Sequence, residues 1–250
     1  MQKRALGLAA IIACCLLTSA HAGIVLSGTR VVYPETSKEV DVHVTNEGTQ
    51  PELIQAWIDN GDPKANPQDI QVPFTLMPPI FRLDPRKGQS LRLSYTHEAI
   101  PQDRESVYWL NALEIPPKAK NADGTNALQL AYRTRIKLFF RPGGLKGSPA
   151  DSPQQVNWTL VPDHKGSYAL HADNPTPFSV SFDALHLKVG GQSIDAGQGM
   201  VKPMTSADFP LAHLKQRPSG AMQVDYSWIN DYGASNGGKA TVQQTPDQVH

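Results

Sequence analysis

"LQLAYRTRIKLFFRP", residues 128–142, decides the fold class. Its even positions are Leu128, Leu130, Tyr132, Thr134, Ile136, Leu138 and Phe140; its odd positions are Gln129, Ala131, Arg133, Arg135, Lys137, Phe139 and Arg141. Successive side chains of an extended chain point to opposite faces, so this period-two alternation marks a half-buried strand. The run is more than about twice the usual strand of five or six residues. A strand that long, apolar on one face and carrying four bases on the other, has to do more than close a sheet.

At the other end of the chain, Lys3 and Arg4 precede the apolar run Ala5–Leu17, and "SAHA" supplies small residues at Ala20 and Ala22. This is the pattern of a secretory signal peptide over residues 1–22, with cleavage expected between Ala22 and Gly23. The apolar run is shorter than the roughly 20 residues that span a bilayer, so the chain is not expected to be membrane-inserted. "IIAC" loosely fits a lipoprotein box at Cys14, but the apolar run continues past it. Both cysteines, Cys14 and Cys15, lie within the signal. The exported chain then has no thiol, which excludes a disulfide framework and a cysteine nucleophile. The 23 basic residues are matched by 23 acidic ones, so no nucleic-acid partner is expected.

Outward from the long strand, short β-branched or aromatic runs alternate with turn clusters. Towards the N-terminus stand "IVLSGTRVVYP", "KEVDVHVTNEG", "ELIQAWID", "PPIFRLDPRKGQSLRLSY" and "ESVYWLNALEIPP". Val40, Val42 and Val44 alternate with Asp41 and His43, which assigns the valines to a core and His43 to a solvated face. About seven such runs are expected, an immunoglobulin-like number. "RPGGLKGSPADSP", residues 141–153, reads as a linker. Beyond it "QVNWTLV", "SYALHAD", "PFSVSFDALHLKV", "DFPLAHL" and "AMQVDYSWINDYG" make a second, smaller sandwich, with a candidate last strand near Ala240–Val242. The expected fold class is therefore all-β, with two immunoglobulin-like sandwiches: a domain over 23–145, whose long strand occupies about 127–141, and a second over 146–250.

Chemistry is sparse. The histidines have no paired spacing and no cysteine beside them, so no metal site is nominated. There is no G-x-S-x-G turn, and "RPGGLKG" lacks the spacing of a phosphate loop. Asn157-Trp158-Thr159 fits a glycosylation acceptor, but Trp158 alternates as a core residue. No catalytic residue and no cofactor is expected.

Six stretches in order give the chain a likeness. They are "GTRVVYP" (28–34), "PPIFRLDPRKGQSLRL" (78–93), "RESVYWLNALEIPPKA" (104–119), "RIKLFFRP" (135–142), "NPTPF" (174–178) and "INDYG" (229–233). The chain resembles the PapD-like periplasmic pilus chaperones of the chaperone/usher pathway over nearly its whole exported length. That resemblance implies two immunoglobulin-like domains in an L or boomerang. It implies donor-strand complementation, in which the long strand fills the gap of an incomplete pilus subunit before an outer-membrane usher takes the subunit on. The implied location is the periplasm, the implied partners are pilus subunits and the usher, and a free chaperone could cap its strand by self-association. The short "PPKAKNADGTNA" connection resembles the short-loop subfamily.

Residue by residue, the resemblance makes Arg30 and Lys137 the cleft bases that anchor a subunit's C-terminal carboxylate. Two cations sharing one shielded carboxylate make charge-assisted hydrogen bonds that fix register. Leu128, Leu130 and Tyr132 become the donor-strand residues that enter the subunit groove. Lys137 has the opposite parity, which a bulge or strong twist would reconcile. Glu105, Arg141 and Asp231 become an interdomain ion cluster. Two other classes compete: a secreted carbohydrate-binding or adhesin-like sandwich, which calls for an exposed aromatic platform, and a periplasmic hydrolase, for which no nucleophile–base pair exists to nominate.

Overall fold

The structure is a computed structural model and describes residues 23–115, 130–163 and 166–244. The signal segment and Leu128 lie outside the described residues. The first β unit contains nine strands: β1 Ile24–Leu26, β2 Arg30–Pro34, β3 Val40–Asn46, β4 Glu52–Asp59, β5 Phe74–Met77, β6 Ile80–Leu83, β7 Gly88–Tyr95, β8 Ser106–Ile115 and β9 Tyr132–Arg141. They form two facing sheets, ordered β1-β3-β7-β5 and β2-β9-β8-β4-β6. Two of the runs split into two strands each, and "FTLM" between Pro73 and Pro78 adds one not read from the sequence.

Alternation sets the packing as expected. Val42 and Val44 are buried while Asp41 and His43 are exposed. On β9, Ile136, Leu138 and Phe140 enter the core beside Tyr33 and Leu110. Burying an aliphatic or aromatic side chain contributes about 1.5–3 kcal/mol, so these three account for much of the strand's hold on its domain. Among the described residues hydrogen-bonded pairing begins at Tyr132, and Leu130 and Ala131 precede it without strand structure; the expected start of the strand, near 127, lies outside the described residues.

The second unit contains β10 Asn157–Asp163, β11 Ser167–Asn174, β12 Val180–Val189, β13 Gln192–Val201, β14 Thr205–Leu211, β15 Met222–Ile229 and β16 Ser235–Gln244. These join in one sheet, β13-β12-β15-β16-β10-β11-β14, whose end strands β13 and β14 also meet, so that the sheet curls around its own core. Trp158, Phe182, Phe209 and Tyr226 pack there ring against ring. The last strand is much longer than Ala240–Val242. β16 runs through Asn236, Gly237 and Gly238, and the Tyr226 ring occupies the space where a Cβ of Gly238 would stand.

Candidate functional site: a cation pair where the two units meet

The position of β2 beside β9 creates the site. These strands pair in parallel, with Arg30 opposite Lys137, Val31 opposite Leu138 and Pro34 opposite Arg141. Register partners project to the same face, so the Val31 and Leu138 side chains go into the core while Arg30 and Lys137 stand side by side outside it. Like charges directly opposite one another are destabilising. Here each is tied to the second unit by a single uncharged acceptor. Arg30 Nη1 donates to Ile229 O at 2.8 Å, and Lys137 Nζ donates to Ser181 Oγ at 2.9 Å. The Arg30 guanidinium lies 5.6 Å from the Phe139 ring centroid, and its Nε is buried without a hydrogen-bond acceptor.

The electrostatics record an unmet demand for negative charge. Burial, then the neighbouring Arg30, pushes the Lys137 ammonium down to about 8. Burial also lowers Arg30, against the opposing pull of Asp231, Asp183 and Glu105. Among the described residues neither makes an ion pair. A recess of about 290 Å³ opens beside them, walled by Thr29, Trp109, Arg135 and Ile229. It is large enough for a carboxylate with part of its chain.

Two other bases of β9, Arg133 and Arg135, are accounted for differently. Arg135 grips Asp59 with two bonds, at 2.9 and 2.6 Å, and stacks on Trp109 at 4.5 Å. Arg133 reaches the same carboxylate at 3.4 Å, donates to Asn111 Oδ1 and lies over Trp57 at 4.9 Å. Burial alone would raise the Asp59 carboxyl; hydrogen bonds from Arg135, Asn111 and the Gly61 amide outweigh it and hold the group below its ordinary value. With Arg141 paired to Glu105 and Asp231, Lys137 is the one of the four bases of β9 left without a carboxylate among the described residues. Sequence reasoning missed Asp59, because its partner is 76 residues away and β8 lies between their strands.

The parity conflict on β9 needs neither bulge nor exceptional twist. Its ladder to β8 is unbroken from Tyr132 to Phe140. Lys137 and Tyr132 simply occupy opposite faces of one regular strand. Tyr132 continues the core row of Ile136, Leu138 and Phe140, yet it is 61% exposed, and Leu130 just before the strand is 55% exposed. The row of apolar side chains outruns the core that should bury it.

Glu105, Arg141 and Asp231 do converge. Arg141 Nε meets Glu105 Oε1 at 2.7 Å, and its two terminal nitrogens meet Asp231 at 2.7 and 3.0 Å. The second Glu105 oxygen accepts from Ser179 N at 2.8 Å. Glu105 and Arg141 belong to the first unit and Asp231 and Ser179 to the second, so the cluster bridges them. Burial is the main influence on Glu105 and pushes its carboxyl up, while Arg141 and the Ser179 amide pull it back. Close by, Gly233 adopts φ +84°, and a Cβ there would approach Thr29 Oγ1 to 2.6 Å; both the turn and the contact between units call for glycine.

The family described as "Pili and flagellar-assembly chaperone, PapD N-terminal domain" matches residues 23–146, and "Pili assembly chaperone PapD, C-terminal domain" matches residues 151–240. The chain is 41% identical over 228 residues to the probable fimbrial chaperone YadV of Escherichia coli, covering 90% of this chain and 92% of that protein. It is 40% identical over 238 residues to the chaperone protein FimB/FhaD of Bordetella pertussis, covering 92% and 94%. The crystal structure of the YadV chaperone superposes with a TM-score of 0.76, covering 88% of this chain and all (100%) of that one. The SafB chaperone of Salmonella enterica, solved in complex with the SafA pilin, is 27% identical with a TM-score of 0.72, covering 90% and 98%. Over both β units, this chain belongs to the PapD family of pilus-assembly chaperones.

Proposed function

We propose that the protein is a periplasmic chaperone that holds a pilus subunit by strand donation and passes it to an outer-membrane usher. The observation that carries this reading is the combination on β9 of an unpaired cation, Lys137, in register with Arg30, and an apolar row left exposed at Leu130 and Tyr132. A subunit lacking its last strand would add along β9, taking main-chain hydrogen bonds from the strand and side chains from alternate positions. Leu128, Leu130 and Tyr132 would enter its groove, while Arg30 and Lys137 would hold its terminal carboxylate. Glu105, Arg141 and Asp231 would keep the units at the angle this requires. On this reading residues 1–22 are removed on export, the domains run 23–145 and 146–250, and a free chaperone covers its exposed row by self-association. No enzymatic step is proposed.

Leu130→Glu is expected to block capture by placing a charge in the subunit groove. Because Leu130 is 55% exposed, the melting temperature of the free protein should move little. Pull-down of co-produced subunit, together with a thermal melt, checks both. A large drop in melting temperature would return Leu130 to the chaperone's own core.

Capture should also depend on pH. In the free protein Lys137 titrates at about 8, and a bound carboxylate would raise it towards the ordinary lysine value. The complex then binds more protons than the separated partners above pH 8, so affinity should fall as pH rises, by up to about tenfold per unit. Lys137→Arg, which stays charged, should bind with a flat profile over the same range. Calorimetric titration between pH 7 and 9.5 measures this, and a flat wild-type profile would remove Lys137 from the anchor.

A further inference from the structure

At the far tip of the first unit, two carboxylates face each other without a cation among the described residues. Glu114 on β8 is 7% exposed, and Glu52 on β4 has a buried Oε2 with no hydrogen-bond donor among the described residues. Neither makes an ion pair among the described residues. They line a recess of about 260 Å³ with Gly23, Gln50, Leu130 and Tyr132. Gly23 is fixed at its edge. Its carbonyl accepts from Glu47 N at 2.9 Å, the next amide, Ile24 N, donates to the Glu114 carboxylate, and a Cβ on Gly23 would collide with Glu114 Oε2. The Glu114 carboxylate therefore rests against the carbon that carries the Gly23 nitrogen. The nearby Glu47 carboxylate is committed to Arg86 at 3.1 Å.

We propose that the missing cation is the chain's own α-ammonium, created at Gly23 when the signal peptide is cut and held between Glu114 and Glu52. This rests on the export reading above, and the N-terminal family match begins at residue 23. Before cleavage the Gly23 nitrogen is an uncharged amide and the two carboxylates repel each other. Burial, chiefly, raises both groups, and for Glu114 the neighbouring Glu52 adds to it. After cleavage one charge satisfies both, at the recess where Leu130 and Tyr132 begin the exposed row of β9. Processing thereby completes the end of the domain that presents the strand.

The test uses protein exported to the periplasm, with its first residue established by intact mass. The pH profile of α-amine labelling by an amine-reactive reagent gives the pKa of that group. The expected midpoint lies at least one unit above the ordinary 7.7–8.0, which slows labelling about tenfold at neutral pH, and it returns to that range in Glu114→Gln. Retaining Ala22 ahead of Gly23 should lower the melting temperature, and should cease to do so in the Glu52→Gln, Glu114→Gln double variant. An ordinary midpoint, unmoved by Glu114→Gln, overturns the pairing itself. A mature chain that starts elsewhere overturns it through the processing site and leaves the pilus-subunit reading untouched.

Discussion

Lys137→Ala and Arg30→Ala are each expected to abolish subunit capture and leave the fold standing. On the proposed reading the two cations share one carboxylate in the recess walled by Thr29, Trp109 and Ile229 of the second unit. Removing either leaves a charge poorly matched where water is scarce, a loss of about 2–5 kcal/mol, or some thirtyfold to several thousandfold in affinity. The free protein should respond in the opposite sense. Lys137 is lowered to about 8 when folded, so between pH 8 and the ordinary lysine value the native state binds fewer protons than the unfolded chain. Stability therefore rises with pH through that window, and below it the folded protein carries an unfavourable buried charge. Lys137→Ala should consequently melt no lower than wild type at pH 7, because it removes that charge and relieves Arg30. Function and stability pull against each other at this register pair. A single variant that both keeps the stoichiometric complex and melts markedly lower would sink the assignment.

The other large effect is at Arg141. Its guanidinium bridges Glu105, whose side chain is 2% exposed, and Asp231, 32% exposed. Arg141→Ala takes from two neighbouring carboxylates, one of them buried, the cation hydrogen-bonded to both. Loss of one partner from a buried network costs about 3–5 kcal/mol, and for a chain of this size each kcal/mol lowers the melting temperature by about 2–4 °C. The sign with pH is distinctive. Glu105 is already raised by burial, so its contribution to stability is present at low pH and lost as pH rises through its folded value. Without Arg141 that value rises further, and the deficit of the variant should shrink between pH 7.5 and pH 5. Solution scattering should show a broader spread of shapes, and captured subunit should fall even with Arg30 and Lys137 intact. A deficit of the same size at both pH values, with an unchanged scattering profile, would reduce Arg141 to a surface charge.

Much of this was legible because alternation is a local property. The period of two along 132–140 and 40–44 gives the buried rows without knowledge of which strands pair. The turn clusters located most strands, but the last one, expected only near Ala240–Val242, begins at Ser235 and includes Gly237 and Gly238, with the Tyr226 ring where a Cβ of Gly238 would stand. Partners across strands were not legible from pattern. Arg30 and Lys137 meet through a parallel register, and Arg135 meets Asp59 across an intervening strand; no spacing in the sequence encodes either. The first pair came from resemblance to a family, and the second was missed. The start of β9 shows pattern and pairing parting company. Leu130 continues the apolar alternation ahead of the first hydrogen-bonded residue, Tyr132, so among the described residues the sequence carries a strand pattern that the chain alone does not pair.

That surplus pattern is where strand donation can be tested most directly. Hydrogen exchange across residues 130–134 should be compared by mass spectrometry between the free chaperone and its complex with a co-produced pilus subunit. Exchange slowed by at least tenfold in that segment, with the core of β9 from Ile136 to Phe140 little changed, is the expected result. Equal exchange in a stoichiometric complex would mean that the subunit is held elsewhere and that β9 donates nothing.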